Sequence, residues 1–338
     1  MKATMRLVLV SAFAAALTAP LIASAAQAPA KPSVSDPAPG YPNKPIRWIL
    51  DYPAGGLSDI LARIVGQKLT EAWGQPIVYD ARPGASGTIG YNLGAKATPD
   101  GYSLIFLSTP FSLNISIYDK LPYDTRNDFA PITLISMYPN LLVTHPRLPV
   151  KTVAELTAYA KGKPDGLTYA SVGTGSSSFL ATELLKKQIG MAAVHVPYNG
   201  SGPALIDLIG GRVDFMFVNM PGAMAHIRGS RLRVLAIAAP ARSAMLPDVP
   251  TFGDAGYPGF LSVGYAGVAA PAKTPRPIIA KLNAEMVRAL KMPDVRERIE
   301  TLGGEPRYSA PEEFKQFLED EIVRWAPVIK ETGVRLKL

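Results

Sequence analysis

The chain has 338 residues, no cysteine, 48% apolar and 18% charged residues, and a formal net charge of +8. That length allows two domains with a sizeable core, and the missing cysteines exclude disulfides, thiolate metal sites and cysteine nucleophiles. The basic excess is scattered, with no run of five or six basic residues and no basic stripe interleaved with aromatics, which argues against a nucleic-acid partner.

The first residues, "MKATMR", are short and basic; "LVLVSAFAAALTAPLIA" is apolar and "ASAAQ" follows, with Ala23 and Ala25 at signal-peptidase spacing. This three-part pattern predicts a Sec-type signal peptide over residues 1–25. An exported chain without disulfides suits a bacterial periplasm. No cysteine follows to carry a lipid anchor, and no later run of about 18 apolar residues predicts a membrane span. Removing Lys2 and Arg6 with the leader lowers the charge to +6. Residues 26–43, rich in Pro, Ala and Ser, read as a flexible leader.

From Ile46 strand and helix patterns alternate. "IRWILDY" is a strand, and "SDILARIVGQKLTEAWG" a helix whose apolar stripe is Ile60, Leu61, Ile64, Val65 and Leu69. "PIVYD", "YSLIFLS", "FAPITLIS" and "NLLVTHP" follow as strands. Then "TVAELTAYAKG" and "SSFLATELLKKQIG" are helices around the strand "LTYAS", and "GPALIDLIGG" is a helix between "AAVHVPY" and "VDFMFVN". "RVLAIAA" is a further strand, and the tail from Thr274 is mostly helical. Alternating elements imply parallel sheets covered on both faces. The pattern breaks near residues 140–150 and again in "LPDVPTFGDAGYPGF". Two breaks predict two α/β lobes: residues 44–142 plus 262–338, and residues 143–261. A ligand is expected in the cleft between them, outside the carboxyl ends of the strands, with hinge closure as the motion.

Four loops stand at strand ends: "YPAGGLSD" (52–59), "RPGASGTIG" (82–90), "SVGTGSSS" (171–178) and "VPYNGSGPA" (196–204). Glycine lets backbone approach a ligand closely, and helix N-termini offer unpaired N–H groups and partial positive charge to an anion. Any one loop also reads as a plain strand-to-helix turn; the anion reading rests on several occurring in one chain. Phosphate signatures are absent, since neither GxxxxGK[ST] nor GxGxxG occurs. There is no G-x-S-x-G elbow. The three histidines, His145, His195 and His226, lack metal-ligand spacing and read as structural. No nucleophile, base and orienting acid stand at recognisable spacing, so neither catalysis, metal nor cofactor is expected.

These loops in this order resemble the tripartite tricarboxylate transporter substrate-binding family, the Bug family. The likeness is carried by "YPNKPIRWILDYPAGGLSDILAR", "RPGASGTIG", "VPYNGSGPALIDLIGGRVDFMF", "LRVLAIAAPARSAMLPDVPTFGDAGYPGF", "GVAAPAKTPRPIIAKLNAEM" and "LGGEPRYSAPEEF", spread over nearly the whole mature chain. The resemblance implies a type II, two-lobed "Venus flytrap" periplasmic binding protein. Such a protein would capture a small organic carboxylate, whether a di- or tricarboxylate, an amino-acid-like or an aromatic acid, and would hand it, as a monomer, to a two-subunit membrane permease. Carried over by position, it puts Tyr52, Ala54, Gly55, Gly56, Ser58 and Asp59 at one carboxylate. It puts Gly173, Thr174, Gly175, Ser176 and Ser177 at the same group or a second, and Ser108, Thr109 and Asn219 toward the distal end. Phe179, Tyr265 and Asp254 depart from the family's frequent His, Trp and Glu. Phe179 is expected to tilt the pocket toward a larger or aromatic ligand. The alternatives are a carboxylate sensor feeding a membrane receptor and an exported hydrolase.

Overall fold

Three strands open the fold as a parallel unit. β1 (Ile46–Leu50) is followed by α1 (Leu57–Trp73), β2 (Ile77–Ala81), a short 3-10 turn at Ala85–Gly87, α2 (Thr88–Ala95), β3 (Ser103–Ser108) and α3 (Thr109–Ile117). β1 pairs in parallel with both β2 and β3. The computed structural model describes residues 36–163 and 166–338, so the signal peptide expected at 1–25 lies outside the described residues. Of the flexible leader expected over residues 26–43, residues 36–43 are among those described. Tyr41 is buried, donates to the Gly101 carbonyl at 2.7 Å and packs edge-on against Tyr102 and Trp73. An aromatic ring with a paired hydroxyl anchors this end of the chain.

β4 (Phe129–Thr144) is one strand of 16 residues, where the sequence reads as two separate strands. Its prolines look like breaks because proline cannot donate to a ladder. Pro131 sits beside a register shift against β9, and Pro139 sits where β4 changes partners. Through Pro139 it pairs antiparallel with β9 (Val263–Pro271), and β9 pairs with β3. From Asn140 it pairs instead with β7 (Phe215–Asn219) and β8 (Arg233–Ile237). The missing N–H thus falls at the hand-over, where it is tolerated. The division expected after residue 142 therefore lies inside a continuous strand.

The second half repeats the parallel logic. α4 (Val153–Lys161), β5 (Leu167–Ser171), α5 (Ser177–Ile189), β6 (Ala193–Pro197), α6 (Ser201–Gly210), β7 and α7 (Met220–Arg228) follow in order. β5 pairs in parallel with β6 and β7. After β8 the chain returns through residues 238–262 to β9. Asn140, Ala238 and Ser262 lock that return. The Ala238 N–H donates to the Asn140 carbonyl, the Ser262 N–H to the Ala238 carbonyl and the Asn140 N–H to the Ser262 carbonyl, each at 2.9 Å. Asn140 Nδ2 also donates to Ser262 Oγ at 2.8 Å.

The tail adds α8 (Arg276–Lys291), α9 (Pro293–Thr301), β10 (Glu305–Pro306) and α10 (Pro311–Thr332). α8 and α9 pack on α1, and Leu282, Met286 and Val295 join the first-half core around Trp48 and Phe106. α10 serves both halves. Phe314 and Leu318 pack with Tyr265 and Phe111, whereas Trp325 and Ile329, further along the same helical stripe, join the second-half core with Leu180 and Phe217. Residues 262–338 are expected to cover the first lobe alone; α10 instead spans both because its apolar stripe runs its whole length.

Candidate functional site

Parallel strands deliver helix N-termini to one edge of each half-sheet. β1 feeds α1, β3 feeds α3, and β5, β6 and β7 feed α5, α6 and α7. The four glycine loops meet at these edges. Ser86 Oγ donates to the Thr174 carbonyl at 2.7 Å, joining the second loop to the third. A Cβ on Gly200 would lie 3.4 Å from the Pro53 ring, joining the fourth to the first. A Cβ on Gly173 would lie 3.8 Å from the Tyr198 carbonyl and 3.9 Å from Ser86 Oγ. Asn114 steadies the second loop by donating to the Ser86 carbonyl at 3.0 Å.

The first loop is built around two carboxylates. Asp51, missed as a site residue by sequence reasoning, is 1% exposed. Ser58 Oγ donates to its Oδ1 at 2.6 Å, and Tyr91 and Ser108 hydroxyls donate to Oδ2 at 2.7 and 2.5 Å. Burial pushes its pKa above the ordinary aspartate value, and the three hydroxyl bonds draw it partly back. Asp59 accepts from the Gly55 N–H at 2.9 Å and from Arg63 Nε at 2.8 Å. Gly56 is the N-cap residue of α1, no side chain caps that helix, and its own N–H donates to the Pro53 carbonyl at 3.1 Å. The first-turn amides of α1 therefore face the edge uncapped. Gly55 holds φ +79°, a left-handed turn that glycine adopts without strain. The Tyr52 hydroxyl is buried and has no hydrogen-bond partner among the described residues.

The third loop is neutral and self-capped. Ser176 Oγ accepts from the Phe179 N–H at 3.3 Å and meets Ser178 Oγ at 2.9 Å. Ser178 Oγ accepts from the Val172 N–H at 3.2 Å. Ser171 Oγ contacts His195 Nε2 at 2.7 Å and accepts from the Gly173 N–H at 3.2 Å. This serine–histidine pair was not legible in the sequence, 24 residues apart on neighbouring parallel strands. It has the contact of a hydrolase dyad without its setting. Ser171 is fully buried, and nearby Glu183 is held by the Tyr169 hydroxyl at 2.5 Å and by Lys186 at 2.8 Å. Burial holds His195 below the ordinary imidazole pKa. Gly173 and Gly175 take positive φ, and Ser177 and Thr174 are half-buried at the edge.

Several expected ligand side chains are spent inside the protein. The Ser58 and Ser108 hydroxyls are donated to Asp51, so neither is a free donor. Asp59 and Gly55 satisfy each other. Thr109 Oγ1 accepts from the Tyr265 N–H at 3.1 Å, and Asn219 Oδ1 caps α7 by accepting from the Gly222 N–H at 2.8 Å. Ser176 is fully buried as the α5 cap. Phe179 needs the clearest correction. Its ring lies behind the loop, 6.5 Å from Tyr169 and 4.7 Å from His195, within the second-half core. At the third position of α5 its side chain folds back onto Tyr169 of β5 and His195 of β6. Ala54 and Gly55 are exposed, and Gly56 and Gly173 are partly so.

Two parallel-stranded half-sheets, joined by crossing strands and meeting at their loop edges, define a type II periplasmic binding protein fold. The model of the tripartite tricarboxylate transporter family receptor, TctC, matches residues 61–334. The chain belongs to this family of substrate-binding receptors and is not an enzyme. It is 38% identical over 299 residues to protein BugT of Bordetella pertussis, covering 88% of this chain and 92% of BugT. Among solved structures, R. palustris Rpa4515 with adipate superposes with a TM-score of 0.85 at 34% identity, covering 88% of this chain and all of that one. MatC from Rhodopseudomonas palustris, with bound malate, gives 0.81 at 34% identity, covering 86% of this chain and all of that one. Receptors of this family are periplasmic. No helix among the described residues is long and apolar enough to cross a membrane, and no group of three or more His, Asp or Glu among them could hold a metal ion.

Proposed function

We propose that this protein is exported by its signal peptide to the periplasm, captures a small organic carboxylate between its two half-sheets, and delivers it to a two-subunit tripartite tricarboxylate-type permease. The observation that carries the reading is the uncapped α1 N-terminus beside a buried, unpartnered Tyr52 hydroxyl in the same loop, which meets the fourth glycine loop where Gly200 approaches Pro53. Backbone N–H groups at a helix start stabilise an anion without an ion pair. The ligands named for two relatives, adipate and malate, are carboxylates.

The donors assigned here are the α1 first-turn amides of Leu57, Ser58 and Asp59, the Tyr52 hydroxyl, and the Thr174, Gly175 and Ser177 backbone N–H groups with the Ser177 hydroxyl. The lobes divide at two crossings, Pro139–Asn140 and the Ala238 and Ser262 positions bonded to it, and this is the hinge about which they close. A thermal-shift screen of the mature protein against mono-, di- and tricarboxylates tests the reading. At least one carboxylate is expected to raise the melting temperature by several degrees through mass action and to return chemically unchanged. A screen in which no carboxylate shifts the transition overturns it.

A further inference from the structure

The loops at the two edges are poor in positive charge. Across residues 52–59, 82–90, 171–178 and 196–204 the one basic residue is Arg82. It is exposed, with its Nε 2.9 Å from Asp80 Oδ1. Arg63, one turn into α1, is bound to Asp59. Negative charge, by contrast, is built in directly beneath the first loop. Asp51 directly follows β1 and precedes Tyr52, and its oxygens are bonded to Ser58 in the first turn of α1 and to Ser108, the N-cap residue of α3. Burial raises the Asp51 pKa, and the three hydroxyls bonded to its two oxygens oppose that rise by stabilising the ionised form. Tyr91, Ser58 and Ser108 are neutral, and the other ionisable groups coupled to Asp51 are the tyrosines Tyr52, Tyr91 and Tyr138. Among the described residues its side-chain partners are these three hydroxyls, and none is a cation.

An anion therefore already lies beside the first turn of α1 and the N-cap of α3, within the positive potential that a ligand carboxylate would also use. A first ligand carboxylate is compensated by oriented amides. Each additional ligand charge meets the field of Asp51 beside loops whose one basic residue is Arg82, and burial weakens the screening of that repulsion.

Resting on the carboxylate reading above, we propose that Asp51 is a specificity-determining residue that limits the ligand to a single negative charge. The remainder of the ligand is then neutral: an amide, a hydroxyl, or an apolar or aromatic group. Citrate-like trianions are the class most strongly excluded.

The test uses two pairs of ligands of matched shape, adipate with its monoamide and malate with its monoamide, titrated calorimetrically into the mature protein at pH 7.5. Wild type is expected to bind the monoanion of at least one pair about tenfold or more tighter than the dianion. Asp51→Asn keeps the shape and the hydrogen-bonding hydroxyls but removes the charge, and is expected to shrink that preference about tenfold. Asp51→Ser, also neutral, serves if the Asn variant does not fold. A purely structural role would weaken both members of a pair together. An equal or tighter wild-type affinity for the dianion, or an unchanged ratio in the folded neutral variant, overturns the inference and leaves carboxylate binding standing. Failure of both pairs, and of every carboxylate in the thermal screen, to bind wild type overturns the carboxylate reading and this inference with it.

Discussion

The loops that end β1 and β5 solve the same problem with opposite chemistry. The β1 loop spends carboxylates on its own architecture: Asp51 collects three hydroxyls, and Asp59 takes the Gly55 N–H. The helix it opens is left uncapped. The β5 loop uses serines and an imidazole, and caps its helix with Ser176. An uncapped N-terminus is the better anion receiver because its amides have no internal acceptor. A capped one contributes shape and hydroxyls. On this account the first loop supplies most of the affinity and the third supplies fit and closure.

The largest expected effect is therefore in the first loop. Gly55→Val puts a β-branched side chain at φ +79°. The strain costs about 1–2 kcal/mol, and reorientation of the turn is expected to lower affinity by about a hundredfold or more in calorimetry while leaving a cooperative melt. Equal losses from Gly55→Val and Gly175→Val would erase the asymmetry between the loops. Next comes Tyr52→Phe. Removing a hydroxyl that has no internal partner costs no native hydrogen bond, so the melting temperature should hold or rise, while affinity falls about tenfold through loss of a bond to a charged acceptor. A Tyr52→Phe protein that binds unchanged removes that hydroxyl from the site.

Ser176→Ala should act the other way round. Loss of the α5 cap is expected to cost about 1 kcal/mol of stability, read by chemical denaturation, with affinity changed only a few-fold. The smallest effect is on pH. Burial holds His145, His195 and His226 below the ordinary imidazole value of 6.5. The unfolded chain therefore takes up protons on these side chains first. The stability they contribute is complete above about 6.5 and is lost as pH falls through that value toward their depressed ones. The melting temperature of the ligand-free protein should drop between pH 7 and 5, and His195→Gln should reduce that drop. An unaltered drop would separate His195 from the acid sensitivity of the third loop.

Much of the β1 loop was legible because its signals are local: an apolar run, two glycines and an amphipathic helix in direct succession. The long β4 was not. Pro131 and Pro139 read as breaks, and only the pairing of distant strands reveals that one accompanies a register shift and the other a change of partner. The direction in which individual side chains point was also out of reach. Ser58, Ser108 and Phe179 sit in the expected loops or helix starts, yet point inward because the register of the flanking element aims them there. Asp51 left one readable trace, a carboxylate closing the apolar run "IRWIL". Its three donors come from residues 58, 91 and 108, and no local pattern links them. His195 with Ser171 is likewise a product of parallel pairing between β5 and β6.

The central claim is that oriented amides and the Tyr52 hydroxyl hold a carboxylate. Calorimetric titration of wild type with a carboxylate found in the thermal screen, and with the carboxamide of the same shape, tests it most directly. The account predicts that the carboxylate binds and that the carboxamide, lacking the charge these donors are arranged to receive, binds about a hundredfold more weakly or not at all. Equal affinity for the two would contradict it.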